Sequence, residues 1–292
     1  LMKIFIIGAS GTLGKALYKE LSTKYEVIGT YNKKKINGFL KFDISRDNII
    51  KKLHIKKNDI VIYLAGISRP SEVNRNLEKS KKINVTNTKK IITKLDKIKV
   101  KFFYLSSVEV FDCKKKILGE NFKQNPKTIY GKQKYEIENY LQENVKNYQI
   151  IRAGSVVTFK KNETCPISIT HNILKNKNSK IFKNNFISIT SIDDFVKIFK
   201  VILSKKELLR KKIVHISSNF FISRIQLANE IKSISKYKKI MNYDKIDIKN
   251  FKSLKNIGFN KILLSNHKFI KEFKFNSIKS IIRKKIKEIE VV

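Results

Sequence analysis

The 292-residue sequence predicts an α/β fold: a doubly wound parallel sheet with helices on both faces, and a smaller α/β lobe towards the carboxyl end. Three observations predict it. Short β-branched or aromatic runs alternate with stretches of helical period. A glycine-rich turn separates the first run from the first helix. The alternation loses its regularity after about residue 155, with no Pro- or Gly-rich linker to mark a break.

The elements follow in order. "KIFIIG" (residues 3–8) is an apolar run that stops at glycine and reads as a buried strand. Residues 12–24 place Leu13, Leu17 and Leu21 on one helical face. "YEVIGTY" (25–31) is a second strand, and "FLKFD", ending at Asp43, a third. Residues 46–54 read as helix and 59–66 as a fourth strand. Residues 77–95 carry Ile83, Thr88, Ile91, Ile92 and Leu95 at helical spacing. "KFFYLSS" (101–107) is a fifth strand, 130–145 a helix and "YQIIRAG" (148–154) a sixth strand. Beyond them the pattern is mixed and ends in "SIKSIIRKKIKEIEVV". There Ile278, Ile281, Ile282, Ile286 and Ile289 share a face opposite Lys and Arg, the pattern of a helix packed on its own domain.

Composition narrows the function classes. The longest apolar run, "IVIYLAGI" (60–67), is far below membrane-spanning length, and the first residues read as a strand and not as a signal segment. Cys113 and Cys165 form no C-x-x-C, which suits free thiols in a reducing cytoplasm. The formal charge is +40, from 64 basic and 24 acidic residues. Such an excess suits a nucleic-acid or anionic-membrane partner. Yet only seven of the basic residues are arginine, and the chain is rich in Asn, Ile and Phe. AT-rich coding explains that pattern without a partner, so neither specific nucleic-acid binding nor a membrane role is expected.

Between the first strand and first helix stands "GASGTLG". Gly8 permits the tight turn, Gly11 lets backbone approach a pyrophosphate, and Gly14 lets the helix pack on the strand. The helix N-terminus adds N–H groups and a favourable dipole. In this context the loop predicts a Rossmann-type dinucleotide site, with contacts from Gly8, Ser10, Gly11, Thr12, Leu13 and Gly14. Residues 1–155 are then the NAD(P)-binding domain, carrying the catalytic residues. Residues 156–292 are a smaller substrate-binding lobe, partly interleaved with the sheet edge.

The three-residue glycine spacing, with Tyr130 and Lys134 of "TIYGKQK", resembles the extended short-chain dehydrogenase/reductase superfamily over about residues 3–154. The resemblance implies the following roles. Thr30 and Lys33 lie where cofactor specificity is set; with no acid before Asp43 and with Lys33, Lys34 and Lys35 following, NADP is expected, with NAD open. Asp43 and Ile44 match the adenine position, although an N-cap role for Asp43, in competition with Ser45, also suits the pattern. Leu64, Ala65 and Gly66 lie where the fourth strand runs past the cofactor. Ser107, four residues before Phe111, would hold the reacting oxygen, with Ser106 beside it. Tyr130 would exchange the proton, and Lys134, one helical turn on, would lower the phenol pKa and hold the nicotinamide ribose.

Further matches are "INVTNT" with Asn87 in place of glycine, "YGKQKYEIE" with Gln133 in place of serine and Glu138 kept, and "IRAGSVV" with Ala153 in place of proline. "SIDDF" matches a Val-Asp-Asp segment. "YLSSVEVFD" and "SRIQLANEI" resemble the dTDP-4-dehydrorhamnose reductases and their sugar-nucleotide-binding relatives. Val108 stands where those reductases carry an aspartate and where a dehydratase needs one; only Glu109 of the dehydratase's acid pair is kept, which argues against a dehydratase. The resemblance implies NADPH-dependent reduction of a nucleotide-linked keto sugar. A nucleotide-sugar 4-epimerase and a non-catalytic NADP-binding regulatory subunit remain as alternatives, and a homodimer is left open. His54, His171, His215 and His267 show no metal-ligand spacing.

Overall fold

The computed structural model describes residues 2–115, 117–161, 163–247 and 260–291. The chain forms two compact units, each assembled from separated segments. The first takes residues 1–111, 123–152 and 196–214, and the second takes 112–122, 153–195 and 215–292.

The first unit is built on β1 (Lys3–Ile7), β2 (Glu26–Tyr31), β3 (Leu40–Lys41), β4 (Ile60–Tyr63), β5 (Lys101–Ser107) and β6 (Tyr148–Ala153). A seventh strand, Ile213–Ile216, completes the sheet, whose order is Ile213–Ile216, β6, β5, β4, β1, β2, β3. The β1–β2, β2–β3, β1–β4 and β4–β5 pairs are all parallel. The strand order reverses between β1 and β4, which opens a crevice at their carboxyl ends where ligands of such sheets bind. β4 is wholly apolar and wholly buried, as a central strand covered on both faces must be. Buried Asp59 fixes its start by accepting from the amides of Lys3 (2.9 Å) and Lys56 (2.7 Å).

Helices α1 (Thr12–Leu21), α2 (Ile49–Leu53), α3 (Pro70–Arg75), α4 (Leu77–Lys81), α5 (Thr88–Lys97) and α6 (Ile129–Asn144) belong to this unit. Phe5, Val61, Tyr63, Phe102 and Tyr104 meet Ile91, Leu95, Ile137 and Leu141 in one core, each large apolar side chain contributing about 1.5–3 kcal/mol.

Two local expectations change. The helix expected over 46–54 begins at Ile49, because Asn48 caps it by accepting from the amides of Ile50 and Lys51. Neither Asp43 nor Ser45 is that cap; Asp43 instead closes the preceding turn by accepting from the Ser45 amide at 2.8 Å. The continuous helix expected over 77–95 is interrupted by a π-helical turn, Lys82–Asn87, between α4 and α5. Thr88 spans the wide turn by donating its hydroxyl to the Ile83 carbonyl at 3.2 Å. Periodicity alone does not reveal one extra residue in a turn.

In the second unit, strand Phe186–Ser191 lies between Phe221–Ser223, antiparallel to it, and Ser155–Val157, parallel to it. Tyr243–Ile246 pairs in parallel with Ser179–Phe182. Helices Pro166–Leu174, Arg224–Ile234 and Ile278–Glu290 share a core of Leu174, Leu227, Ile231, Ile281, Ile282 and Ile286. The amphipathic carboxyl-end helix thus packs on its own unit, as its pattern predicts. One of its lysines departs from the pattern. Lys285 is fully buried, its ammonium donating to the carbonyls of Lys160 (2.5 Å) and Glu163 (3.3 Å). Among the described residues, no helix is long and apolar enough to cross a membrane.

Candidate active site

The glycine loop lies at the carboxyl end of β1. Gly8 has φ of +89°, a left-handed conformation that disfavours a side chain. A Cβ on Gly14 would come within 2.6 Å of both Ala9 Cα and the Gly8 carbonyl oxygen, so only glycine lets α1 sit this close to the loop. Over Gly11 there is room: a Cβ there meets nothing nearer than the Gly8 oxygen at 3.5 Å. Gly11 is exposed and is the N-cap of α1, with no side-chain cap over it. Ser10, Thr12 and Leu13 are half-buried around it. An exposed backbone cradle at an uncapped helix N-terminus fits the pyrophosphate of a dinucleotide.

The other expected cofactor residues divide into two groups. Thr30 is buried and braces the loop from within: its Oγ1 accepts from the Gly8 amide at 3.1 Å, and its carbonyl accepts from the Ser10 amide at 3.1 Å. It therefore does not present a side chain to a ribose. Lys33 is exposed just beyond β2, and Asp43 and Ile44 are half-buried after β3. Leu64, Ala65 and Gly66 leave β4 directly beside the glycine loop. The Leu64 amide bonds to the Ile7 carbonyl at 2.9 Å, and a Cβ on Gly8 would meet the Ala65 nitrogen at 2.8 Å.

At the end of β5 the pleat separates the two serines. Ser106 points inward and donates to Glu138 Oε1 at 2.5 Å. Ser107 is half-buried, and its Oγ accepts from the Glu109 amide at 3.3 Å, which leaves its own proton to donate. Helix α6 starts at Thr128, whose hydroxyl accepts from the Gly131 amide at 3.0 Å. A Cβ on Gly131 would collide with the Glu109 carbonyl, so this glycine allows the start of α6 to close on the turn Val108–Val110 that follows Ser107. Val108, at the aspartate position, is buried.

Tyr130 and Lys134 then share a face of α6. The Lys134 ammonium lies 5.7 Å from the Tyr130 ring centroid and 4.6 Å from that of Tyr104, and it donates to the Leu105 carbonyl at 2.8 Å. Burial lowers the Lys134 pKa to about 8, against an opposing pull from Glu138. The Tyr130 phenol is pushed well above its ordinary value, first by burial and then by the Glu109 carboxylate. This corrects the expectation that Lys134 leaves the phenol more acidic: desolvation of the phenol prevails, with the Glu109 charge adding to it. Tyr130 therefore holds its proton firmly at rest.

Behind this face, Glu138 and Arg152 form a fully buried ion pair, Nη2 to Oε2 at 2.6 Å and Nε to each carboxylate oxygen at 3.1 Å. Sequence reading placed both residues in family motifs without pairing them. Of two further groups, Glu109 was read only as a retained acid and Asn84 was not singled out. Glu109 acts on the Tyr130 phenol through charge. Asn84, inside the π-helical turn, accepts from the Ile67 amide at 2.7 Å and donates to the Ile67 carbonyl at 2.9 Å and to Gln133 Oε1 at 2.8 Å. The departure of Gln133 from serine was the only visible signal of that link.

With this geometry established, comparison with known proteins is informative. The family model for the RmlD substrate binding domain matches residues 2–257. The chain belongs to that family. It is 27% identical over 138 residues to methionine adenosyltransferase 2 subunit beta of Danio rerio, a match spanning 47% of this chain and 42% of that protein. The chain thus spans less than half the length of that curated relative. Among solved structures it resembles a hypothetical dTDP-4-dehydrorhamnose reductase from Sulfolobus tokodaii, with a TM-score of 0.70 and 25% identity over 90% of this chain and 92% of the other. The dTDP-4-dehydrorhamnose reductase of Bacillus anthracis, solved with NADP, gives 0.73 and 18% over 97% and 98%. The UDP-glucuronic acid 4-epimerase of Bacillus cereus, solved with its substrate and NAD, gives 0.80 and 19% over 99% of each chain. The last two likenesses show the Rossmann-type fold.

Proposed function

We propose that the protein is an NADPH-dependent reductase of a nucleotide-linked keto sugar, of the dTDP-4-dehydrorhamnose reductase type. The observation that supports this reading is the pairing of Tyr130 and Lys134 on α6, with Lys134 bonded to the Leu105 carbonyl two residues before Ser107, in the unit that also carries the glycine loop. Gly8, Ser10, Gly11, Thr12, Leu13 and Gly14 hold the pyrophosphate, Asp43 and Ile44 the adenosine end, and Leu64, Ala65 and Gly66 the middle of the cofactor. Lys33 favours a 2′-phosphate, with NAD as the weaker ligand.

When bound, the reduced nicotinamide cofactor supplies hydride to the ketone carbon, most simply C4 of a 6-deoxy-hexose, and leaves oxidised. Ser107 donates a hydrogen bond to the ketone oxygen. Tyr130 gives its phenolic proton to that oxygen as charge develops on it. The transfer runs in this direction because the resting phenol is protonated and the forming alkoxide is more basic than a phenolate, although burial makes the phenol a weaker acid. Lys134 places a positive charge beside the ring and holds the ribose. Residues beyond 155 bind the nucleotide. We place the protein in the cytoplasm, where the buried thiols Cys113 and Cys165 stay reduced, and take a homodimer as its assembly; light scattering that returns a monomer would remove the latter.

The test is NADPH oxidation with a panel of nucleotide 4-keto-6-deoxy sugars. Tyr130→Phe is expected to lower kcat by about 10²–10⁴-fold with NADPH affinity unchanged. A wild-type rate in that variant would reject the mechanism. A second reading, cofactor binding without turnover, is favoured by the likeness to proteins named as a subunit of an adenosyltransferase. It predicts NADPH binding with no oxidation on any sugar in the panel.

A further inference from the structure

Gln133 lies between Tyr130 and Lys134 in sequence, and its side chain is turned into the protein. It is buried and bonded at both ends of its amide. Its Nε2 donates to Ser80 Oγ in α4 at 2.9 Å, and its Oε1 accepts from Asn84 Nδ2 in the π-helical turn at 2.8 Å. Ser80 is anchored in turn, donating to the Leu77 carbonyl at 2.9 Å. Asn84 uses the rest of its amide on one residue, Ile67, accepting from its N–H at 2.7 Å and donating to its C=O at 2.9 Å. Two bonds to one peptide unit fix both the position and the orientation of that unit.

Ile67 ends the stretch that leaves β4 beside the glycine loop. Gly66 just before it has φ of +147°, and a Cβ there would meet Asn84 Oδ1 at 2.8 Å. The 64–67 loop has no regular structure of its own. Its first residue, Leu64, is bonded to Ile7 of β1; its last, Ile67, is bonded to Asn84, whose amide is tied to α6 by Gln133. A side chain as short as serine at position 133 carries no amide to bridge Ser80 and Asn84. In this chain the longer residue connects three elements: α4, the π-helical turn and the helix that carries Tyr130 and Lys134.

We propose that Gln133 is a positioning residue that, through Asn84, fixes the 64–67 loop relative to Lys134 and so sets the affinity for the nicotinamide half of the cofactor. The inference rests on the dinucleotide reading above. It assigns Gln133 no contact with the cofactor. Removing it leaves one Asn84 proton without its partner and unties the Asn84–Ile67 pair from α6, so that the loop loses its register against that helix.

The experiment measures two affinities on the full chain. NADPH, followed by its fluorescence, reports the whole cofactor; adenosine 2′,5′-bisphosphate, followed by calorimetry, reports the adenosine end held by other residues. Gln133→Ala is expected to weaken NADPH about tenfold, the effect of one buried hydrogen bond, and to leave the bisphosphate unchanged. Gln133→Met keeps the side-chain volume and carries the same expectation, should the alanine variant not fold. Gln133→Glu keeps the acceptor for Asn84 and is expected to recover part of the loss. Equal weakening of both ligands would mark a general loss of structure and overturn the proposal, as would NADPH binding unchanged in both variants. Failure of the unmodified chain to bind NADPH or NADH would instead reject the dinucleotide reading itself, and this inference with it.

Discussion

Each unit buries a glutamate, and the two satisfy it by different means. In the first unit Glu138 meets the Arg152 guanidinium, 14 residues away, with Ser106 as a further partner. In the second unit the buried side chain is Glu120. It accepts from the His215 amide at 3.1 Å, the Ser265 hydroxyl at 2.8 Å and the Asn266 amide at 2.8 Å, partners 95 to 146 residues away. Those bonds and the His215 ring outweigh burial and hold the Glu120 pKa below its ordinary value. The first arrangement joins two neighbouring motifs and stands one helical turn behind Lys134. The second knots three distant stretches of chain. The proposed site residues lie in the first unit, beside the ion pair that is short in sequence; the Glu120 cluster depends on pairings that no local pattern announces.

The contrast can be broken at either carboxylate. The largest effect is expected from Arg152→Met, which leaves Glu138 buried without its counter-charge and should cost about 3–5 kcal/mol, read as a fall in Tm. The double variant Glu138→Gln with Arg152→Met should recover much of that loss, since a buried neutral pair escapes the desolvation of two ions. If the single and double variants melt alike, the pair is not the unit that matters.

Glu120→Gln should cost less, about 1–3 kcal/mol at neutral pH, because the amide keeps one acceptor for three donors. Its signature lies in the acid limb. A carboxylate with a depressed folded pKa contributes stability above about pH 4.3, and that stability disappears as pH falls through the folded value. Melting profiles between pH 6 and 3 should therefore fall more steeply for the wild type than for the variant. Parallel profiles would remove Glu120 as the acid-sensitive element.

The smallest effect concerns Lys134, the neighbour of the first carboxylate. With its pKa lowered to about 8, its ammonium is present below that pH and lost above it. The kcat/KM of the free enzyme should fall about tenfold per pH unit beyond 8. A basic limb near 10.5, the ordinary lysine value, would show that Glu138 and solvent keep the cation fully charged.

Much of the candidate site was legible because its devices are local. A glycine loop needs three small residues within one turn, and a phenol and an amine on one helical face need a spacing of four. Gly8, Gly11 and Gly14, like Tyr130 and Lys134, are therefore recognisable before any fold is drawn. Thr30 was legible as a position but not as a role. Its hydroxyl turned inward to the Gly8 amide, a contact across 22 residues. The direction of the Tyr130 pKa was not legible either, because desolvation depends on what covers the ring and not on the lysine one turn away.

By itself, the sequence determined the strand–helix alternation of the first unit, the phosphate cradle, the order Ser107, Tyr130, Lys134 along the chain and the apolar face of the carboxyl-end helix, since each follows from side-chain period or backbone freedom within a few residues. Only the tertiary structure decided that Ile213–Ile216 completes the first sheet, that the helix after residue 77 widens into a π turn at Asn84, that Ser106 and Ser107 take opposite tasks, and that Lys285 points inward. These outcomes depend on hydrogen-bond partners and burial supplied by remote segments, and a buried polar group takes whichever partner the packed chain brings within reach.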